Sequence, residues 1–199
     1  EGAALHARAV ALYREGAEAG DPEAMPRLGW LLLHGEAGLA VDRTEARRWF
    51  EEAKAAGHPR GTAFLAWLHE DGPEADVERA AELYAAAARL GDEHARIRLT
   101  GLALARLRES GGTPSGLRWL HQAADAGSVR AGNALAWIRA TTPVPALRDG
   151  REAVRLARRV VDEDPSAAHL DTLAAAYAEA GDFTAARETQ RAAIAALAE

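Results

Sequence analysis

The chain has 199 residues, of which 48% are hydrophobic and 27% charged, and its net charge is −6, so we expect no concentrated basic stripe of the kind that binds nucleic acid. Cysteine is absent, which excludes disulfides, thiolate metal sites and thiol catalysis within this sequence. No apolar run approaches the ~18 residues that cross a bilayer, so we expect no direct insertion into a membrane.

Five leucines recur along the chain at intervals of 37, 34, 36 and 38 residues. Threonine follows one of them and glycine or alanine follows each of the others. The five pairs are Leu28-Gly29, Leu65-Ala66, Leu99-Thr100, Leu135-Ala136 and Leu173-Ala174. A period of this length indicates stacked copies of one supersecondary unit. Because the chain is rich in alanine, we predict an all-α fold. Together with the repeat period, this predicts an alpha-alpha superhelix, a right-handed solenoid of antiparallel helix pairs.

Each unit is predicted to contain two helices, called A and B, which gives about eleven helices in all. Helix A carries the leucine and its small neighbour. Helix B carries small and bulky residues at i, i+3, i+4 and i+7, which is a helical stripe. In chain order these stripes are Ala9, Leu12, Tyr13, Gly16; Ala46, Trp49, Phe50, Ala53; Ala80, Leu83, Tyr84, Ala87; Gly116, Trp119, Leu120, Ala123; Ala153, Leu156, Ala157, Val160; and Ala186, Thr189, Gln190, Ala193.

Turn and cap residues separate these helices at regular places. A glycine suited to a left-handed backbone is expected to end helix B at Gly20, Gly57, Gly91 and Gly127. The next residue is the expected N-cap of helix A, with Pro22 and Pro59 in the first helical turn. Helix B is expected to be capped by Asp42, Asp76, Asp149, Asp182 and, in the third unit, by Thr113-Pro114. Asp42 and Glu45 have the spacing of a capping box.

The segment with Leu28-Gly29, Gly35, Asp42, Trp49-Phe50 and Ala56-Gly57 resembles the Sel-one-like repeat. Similar copies run over about 23–57, 60–91 and 94–127, and residues 2–20 look like a lone helix B. We therefore expect Sel-one-like repeats over residues 1–130, the first copy having only its second helix.

From residue 131 onward the chain resembles tetratricopeptide repeats. The run from Asn133 to Trp137, followed by Asp149-Gly150, is similar to one unit with an expanded turn, and 169–183 is a close match to another. We expect tetratricopeptide-type repeats over 131–199, continuous with the first part.

The two resemblances imply a non-catalytic adaptor or scaffold that binds a protein or peptide in a concave groove, in bacteria often tied to envelope, secretion or signalling assemblies. One alternative is a structural spacer or oligomerisation segment of a larger bacterial envelope protein. Another is an enzyme that binds or hydrolyses β-lactams, as described for some relatives, but those resemble disulfide-stapled secreted proteins and this chain has no cysteine.

If helix A follows tetratricopeptide geometry, the residue after the small one faces the groove, and Trp30, Trp67 and Trp137 occupy that position. Large aromatic side chains are favoured anchors at interfaces. The alternative is that these indoles pack inside on adjacent helices, whereas Trp49 and Trp119 are expected to be buried in either case. The remaining groove candidates are polar, and the small excess of acidic side chains among them suggests that the groove binds a basic peptide. They are His34, Asp71, Asn133, Asp171 and Glu179, with an ordinary solvated surface as the alternative.

We predict no catalytic residue, metal site or cofactor. No two of the seven histidines are spaced i, i+4, and the motifs of serine nucleophiles and of phosphate-binding loops are absent. Residues 141–145 contain two prolines that break the helical rhythm, either as an insertion lengthening one turn or as a functional lip beside the groove.

The two ends of the chain carry apolar residues that no further repeat in this sequence covers. Ile194 and Leu197 are expected to leave apolar surface exposed, as is the first helix, which has no helix A before it. Either such surfaces join two chains through the terminal helices, or further sequence covers them, which we expect at the N-terminus. The compartment, bacterial cytoplasm or periplasm, depends on a signal sequence that would precede residue 1.

Overall fold

A computed structural model describes residues 2–71, 75–110 and 114–197. These residues contain eleven α-helices and two short 3-10 turns, and no strand. The all-helical prediction is therefore confirmed for the described part of the chain. Among the described helices, none combines the length and the apolar character that a membrane span requires. The chain divides into two compact units, Glu1–Arg98 and Leu99–Glu199, which are described separately below.

The first unit contains five helices and the start of a sixth. They are α1 (Gly2–Glu18), α2 (Ala24–His34), α3 (Arg43–Ala55), α4 (Pro59–Glu70), α5 (Val77–Arg89) and α6 (Glu93–Ser110), whose residues up to Arg98 belong here. Each helix from α1 to α4 packs against the next, and α2 also touches α4. Helices α2, α4 and α6 are the predicted A helices, and α1, α3 and α5 are the predicted B helices.

The second unit contains the rest of α6 and five further helices. They are α7 (Pro114–Asp125), α8 (Val129–Thr141), α9 (Gly150–Glu163), α10 (Ala167–Glu179) and α11 (Phe183–Ala196). From α7 to α11 each helix packs against the next, and the A helices α8 and α10 also touch. The alternation of A and B helices thus holds within both units.

Small residues let the A and B helices approach closely, as they do at the predicted Gly29 and also at Gly61. A Cβ added to Gly29 would lie 2.5 Å from the ring of Phe50, and one added to Gly61 would lie 2.4 Å from the Cβ of Ala53. The leucine before each small residue is buried in all five units. The near-equal spacing of the leucines along the chain therefore marks the seam where A and B helices meet.

The predicted stripes of α3, α5, α7 and α9 are buried, but that of α1 is not. Leu12 and Tyr13 of α1 are 60% and 37% exposed, and α1 buries Val10 and Ala17 instead. The stripe of α1 does not pack as the inner stripes do, and α1 leaves apolar surface exposed, as expected for the first helix. The inner helices pack on both sides, whereas α1 packs against α2 and the 3-10 turn that follows α2.

The glycine joints are confirmed. Gly20, Gly57, Gly91 and Gly127 have φ of 87°, 79°, 92° and 88°, a left-handed backbone that favours glycine. After three of them the predicted N-cap side chain accepts a backbone N–H from three residues on, as Asp92 does from Ala95 at 2.8 Å. The exception is α2, which begins at Ala24, so that Pro22 lies in the preceding turn and outside the helix.

The aspartates before the B helices do more than cap. The side chain of Asp42 accepts the N–H of Glu45 at 2.8 Å, while its own N–H donates to the carbonyl of Leu32 in α2 at 2.8 Å. Asp76 and Asp149 repeat both bonds in their units, and the side chain of Asp182 caps α11. Each of the first three thereby ties the start of a B helix to the end of an A helix. Thr113, the predicted cap of the third unit, lies outside the described residues.

The capping box predicted for α3 is only half formed. Glu45 does not reach back to the N–H of Asp42, because that N–H is already bonded to α2. Its carboxylate accepts instead from the indole N–H of Trp49 at 3.2 Å and from Arg14 at 3.3 Å. Glu45 therefore holds α1 and α3 together rather than closing the first turn of its own helix.

The proline segment of the second unit is a lengthened turn with its own anchors. Thr141 still belongs to α8, and Pro145–Leu147 form a 3-10 turn. The guanidinium of Arg139 donates to the carbonyl of Leu147 at 3.0 Å, and the carbonyl of Arg139 accepts the N–H of Asp149 at 3.0 Å. These bonds fix the path of the segment between α8 and α9.

Candidate functional site

Trp30 and Trp67 lie in one aromatic cluster of the first unit. The ring of Phe64 lies 5.0 Å from that of Trp30 and 5.0 Å from that of the buried Phe50. The ring of His34 lies 3.9 Å from that of Trp30 and 6.2 Å from that of Trp67. The cluster thus extends from the core outward through Phe64 to two half-buried indoles.

A cleft of about 400 Å³ opens over this cluster. Its apolar wall comes from α2, α4 and α5, and its polar rim comes from α2, α4 and the start of α6. The lining residues are Arg27, Trp30, Arg60, Ala63, Phe64, Trp67, Tyr84, Asp92, His94, Ala95 and Arg98. A concave, largely aromatic surface with a few convergent polar groups is typical of a binding site.

The rim of the cleft carries more positive than negative side chains. Arg27 makes no ion pair or hydrogen bond within the described part of the chain. Arg60 lies 4.0 Å from the buried carboxylate of Asp92. The expectation of a basic peptide, drawn from Asp71, Asp171 and Glu179, does not fit this cleft, because none of those three lines it.

The phenol of Tyr84 is buried and lines the cleft. Tyr84 donates its hydroxyl to the carboxylate of Glu70 at 2.8 Å, and Glu70 also forms an ion pair with Arg98. Burial raises the pKa of Tyr84 far above its usual range, and the hydrogen bond to Glu70 adds to that rise. Tyr84 therefore stays neutral at physiological pH and fixes Glu70, which in turn orients Arg98 at the rim.

Two of the predicted groove residues of this unit lie outside the cleft. His34 is exposed at the end of α2, where its Nδ1 is 3.1 Å from the carbonyl oxygen of Trp30. Asp71 is exposed directly after α4, and its backbone N–H caps that helix by donating to the carbonyl of Trp67. His34 supports the cluster from its edge, whereas Asp71 takes no part in it.

Trp137 occupies a different setting in the second unit. It is 44% exposed and borders an open depression of about 570 Å³ together with Asp171 and Phe183. Asp171 accepts a hydrogen bond from Gln190 at 2.9 Å. The structure thus brings two predicted residues, Trp137 and Asp171, to one shallow surface between α8, α10 and α11.

The remaining two predicted residues do not line that depression. Asn133 is half-buried in α8, and its side-chain oxygen has neither solvent contact nor a partner among the described residues. Glu179 ends α10 and forms an ion pair with Arg148. Its carboxylate therefore holds the loop before α9 to the end of α10.

The residue that precedes each periodic leucine was not among the predicted groove positions. This position holds Arg27, Phe64 and Arg98 in the first three units, and all three line the cleft. The signal was present, since the position is one residue before Leu28, Leu65 and Leu99. It was not predicted because the residues assigned to the groove lie two positions before, two positions after or six positions after the leucine.

The tryptophans of the A and B helices differ in burial. Trp49 and Trp119 are 3% and 1% exposed, as expected for the B-helix stripes. Within the described residues, no three histidine, aspartate or glutamate side chains come together in a way that could hold a metal ion.

A family model described as the Sel1 repeat matches four segments that together make up slightly more than half of the chain, namely 6–21, 22–58, 59–92 and 113–128. The first segment is the lone B helix predicted from the sequence, and the next two agree with the predicted copies. In the third predicted copy only the B helix is matched. No curated protein matches the chain.

Solved structures show the same fold. A Sel1 repeat protein from Oxalobacter formigenes is 22% identical with a TM-score of 0.53, and the match covers 94% of this chain and 78% of that one. The protein c5321, a protective antigen of uropathogenic Escherichia coli with an SLR fold, is also 22% identical with a TM-score of 0.51. That match covers 92% of this chain and 44% of the other.

The predicted alpha-alpha superhelix is thus confirmed as the fold class. Sel1-repeat solenoids generally serve as protein-interaction scaffolds. The matched segments, the alternating helix pairs and the solved structures agree, and the chain belongs to the Sel1 repeat family.

Proposed function

We propose that this chain is a non-catalytic scaffold that binds a segment of a partner protein on the open faces of its A helices. The observation that supports this most is the position of Trp30 and Trp67, which line a cleft while the tryptophans of the B helices fill the core. Large aromatic side chains held in place before binding lower the entropy cost of the complex.

In this proposal the two units offer two contact surfaces. The cleft over the aromatic cluster takes one part of the partner, and the depression at Trp137 and Asp171 takes another. We further propose that residues 131–199 form tetratricopeptide-type repeats that continue the series. The pairs α8–α9 and α10–α11 support this, since in each pair an A helix packs against the B helix that follows it, as α2 packs against α3 and α4 against α5.

The experiment is an unbiased peptide selection. Random dodecapeptides displayed on phage are panned on the intact chain, and the selected peptides are then titrated against wild type and Trp67→Ala. Because truncation of a central aromatic anchor typically costs more than ~2 kcal/mol of binding, we expect binding to weaken by at least about tenfold.

Tyr13→Ala is the matched control. Tyr13 carries a partly exposed ring in the same unit but does not line the cleft, so its removal is expected to leave binding unchanged. If selection yields no binder, or if both variants bind as tightly as wild type, the proposed function of this unit is wrong.

A second candidate is self-association through the terminal helices. Leu5 and Leu12 of α1 are exposed, as are Ile194 of α11 and Leu197 directly after it. We expect light scattering over a roughly hundredfold concentration range to show a rising mass, and Leu12→Glu to suppress it. Ala11→Glu is the control on the same helix. A constant monomer mass removes this candidate.

A further inference from the structure

The charge around the cleft of the first unit is opposite to that of the whole chain. The chain carries a net charge of −6, yet three arginines line the cleft against a single aspartate. A ligand that reaches this cleft therefore meets a local excess of positive charge on a negative protein.

The carboxylates near the cleft are already engaged. Asp92 caps α6 by accepting the N–H of Ala95 at 2.8 Å, and its other oxygen is 4.0 Å from Arg60. Glu70 accepts from Tyr84 and pairs with Arg98. Arg27 has no such partner in the described ranges, so its guanidinium is available to a ligand.

The rim residues lie near the beginnings of the A helices. Arg27 is in the first turns of α2, Arg60 is the second residue of α4, and His94 is the second residue of α6. Helix N-termini carry partial positive charge, which adds to the charge of the guanidinium groups. The side chains supply the main attraction, and the helix ends reinforce it.

The floor of the cleft selects for an apolar group. Trp30, Phe64 and Trp67 present aromatic surface, and the two indole N–H groups donate no hydrogen bond to any described residue. A volume of about 400 Å³ is near the lower end of ligand pockets, which suits one or two bulky side chains. The aromatic surface and the positively charged arginines thus lie within one small site.

We propose that this cleft binds an acidic segment of a partner protein, with a large apolar side chain on the aromatic floor and flanking carboxylates on Arg27 and Arg60. This rests on the proposed function and adds the chemistry of the partner. Arginine suits carboxylates because its planar guanidinium donates two parallel hydrogen bonds.

The test uses three capped peptides that contain no tryptophan and share a central Leu-Phe pair, flanked on both sides by glutamate, glutamine or lysine. Binding is followed by the tryptophan fluorescence of the intact chain and by calorimetry. We expect the glutamate peptide to bind at least about tenfold more tightly than the glutamine peptide, with an affinity that falls as salt is raised. The lysine peptide is expected to bind weakest.

Charge reversal at the rim gives the matched comparison. Arg27→Glu is expected to weaken the glutamate peptide at least about tenfold, whereas Arg43→Glu makes the same charge change at an exposed site outside the cleft and is expected to leave binding unchanged. Circular dichroism checks that both variants are folded. Equal losses in the two variants would mean that only the overall charge acts, which overturns the proposal.

Two other outcomes also overturn it. Equal or tighter binding of the glutamine or lysine peptide removes the acidic partner but leaves the scaffold function in place, which the unbiased selection judges separately. Displacement of the glutamate peptide by a twelve-nucleotide thymidine strand at similar concentration would show a general polyanion site instead of a peptide site.

Discussion

Tryptophan occurs both on the seam between A and B helices and on the open face of the A helices, and its burial differs between the two. On the seam, Trp49 and Trp119 are almost completely buried. On the open face, Trp30 and Trp67 are half-buried over a cleft, and Trp137 is 44% exposed. Residue type alone therefore does not decide burial in this protein, whereas position within the repeat does.

The two units show that neighbours modify what the repeat position provides. In the first unit Phe64, just before the periodic Leu65, packs its ring against Trp30. In the second unit the equivalent positions are Ala134 and Thr172, so Trp137 has no aromatic neighbour of this kind. The same position yields a cleft over an aromatic cluster in one unit and an open depression in the other.

The largest expected loss of stability comes from a substitution on the seam between A and B helices. Trp49→Ala removes an almost fully buried indole together with its hydrogen bond to Glu45, so we expect the free energy of unfolding to fall by about 3–5 kcal/mol. Urea denaturation followed by circular dichroism measures this loss. A loss below ~1 kcal/mol would show that Trp49 is not part of a packed core.

A smaller loss is expected where the helices approach most closely. Gly29→Ala places a Cβ 2.5 Å from the ring of Phe50, and overpacking of this kind costs about 1–3 kcal/mol. Gly101→Ala is the control, because nothing lies within 4 Å of its added Cβ and it sits in the exposed part of α6. This control is expected to gain about 0.5–1 kcal/mol from helix propensity. Thermal unfolding of both variants should give shifts of opposite sign.

A still smaller change is expected on the open face. Trp67→Ala removes a half-buried ring from the edge of the aromatic cluster, so we expect it to cost about 1 kcal/mol of stability with little loss of helicity. The same denaturation experiment applies. A cost of about 3–5 kcal/mol would place Trp67 in the core and remove the basis for the binding site.

The smallest expected effect is a pH dependence of the stability of the second unit, which arises from His121 in α7. Burial lowers the pKa of His121 and the nearby Arg139 lowers it further, while Glu152 and Asp125 act in the opposite direction. Because the folded state holds fewer protons than the unfolded state, stability is fully present above the ordinary histidine pKa of ~6.5 and falls as pH drops through the lowered value.

His121→Gln tests this contribution. Glutamine keeps an acceptor for Arg139, whose guanidinium lies 3.2 Å from the Nε2 of His121, but it does not titrate. The melting temperature of the variant is expected to fall less between neutral and mildly acidic pH than that of wild type. Parallel pH profiles would show that His121 does not contribute.

Features set by neighbours in sequence were predictable. The caps at Asp42 and Asp149 and the left-handed Gly57 and Gly127 depend on residues one to three positions away, and these were predicted correctly. The seam was also predictable, since a stripe of small and bulky residues fits one geometry. Which apolar residues of α1 stay exposed was not predictable, because the exposure of Leu12 depends on which helices pack against α1.

The candidate site was predictable only in part. Trp30 and Trp67 were candidates for an open surface from their repeat position, with an interior position as the alternative, but the charge of the cleft was not predicted. Its arginines come from positions 27, 60 and 98 on three helices, and nothing local in the sequence shows that these meet. Of the acidic positions that suggested a basic partner, Asp71 and Glu179 lie at helix ends, and Asp171 borders the depression of the second unit.

Fluorescence quenching by acrylamide tests most directly whether the open face and the seam differ as described. Each tryptophan is replaced in turn by phenylalanine, which keeps an aromatic ring, and the quenching of the remaining four is measured in the folded chain. We predict that W30F, W67F and W137F remove emission that acrylamide quenches readily, whereas W49F and W119F remove emission that is protected. Loss of protected emission in W30F and W67F would contradict the account.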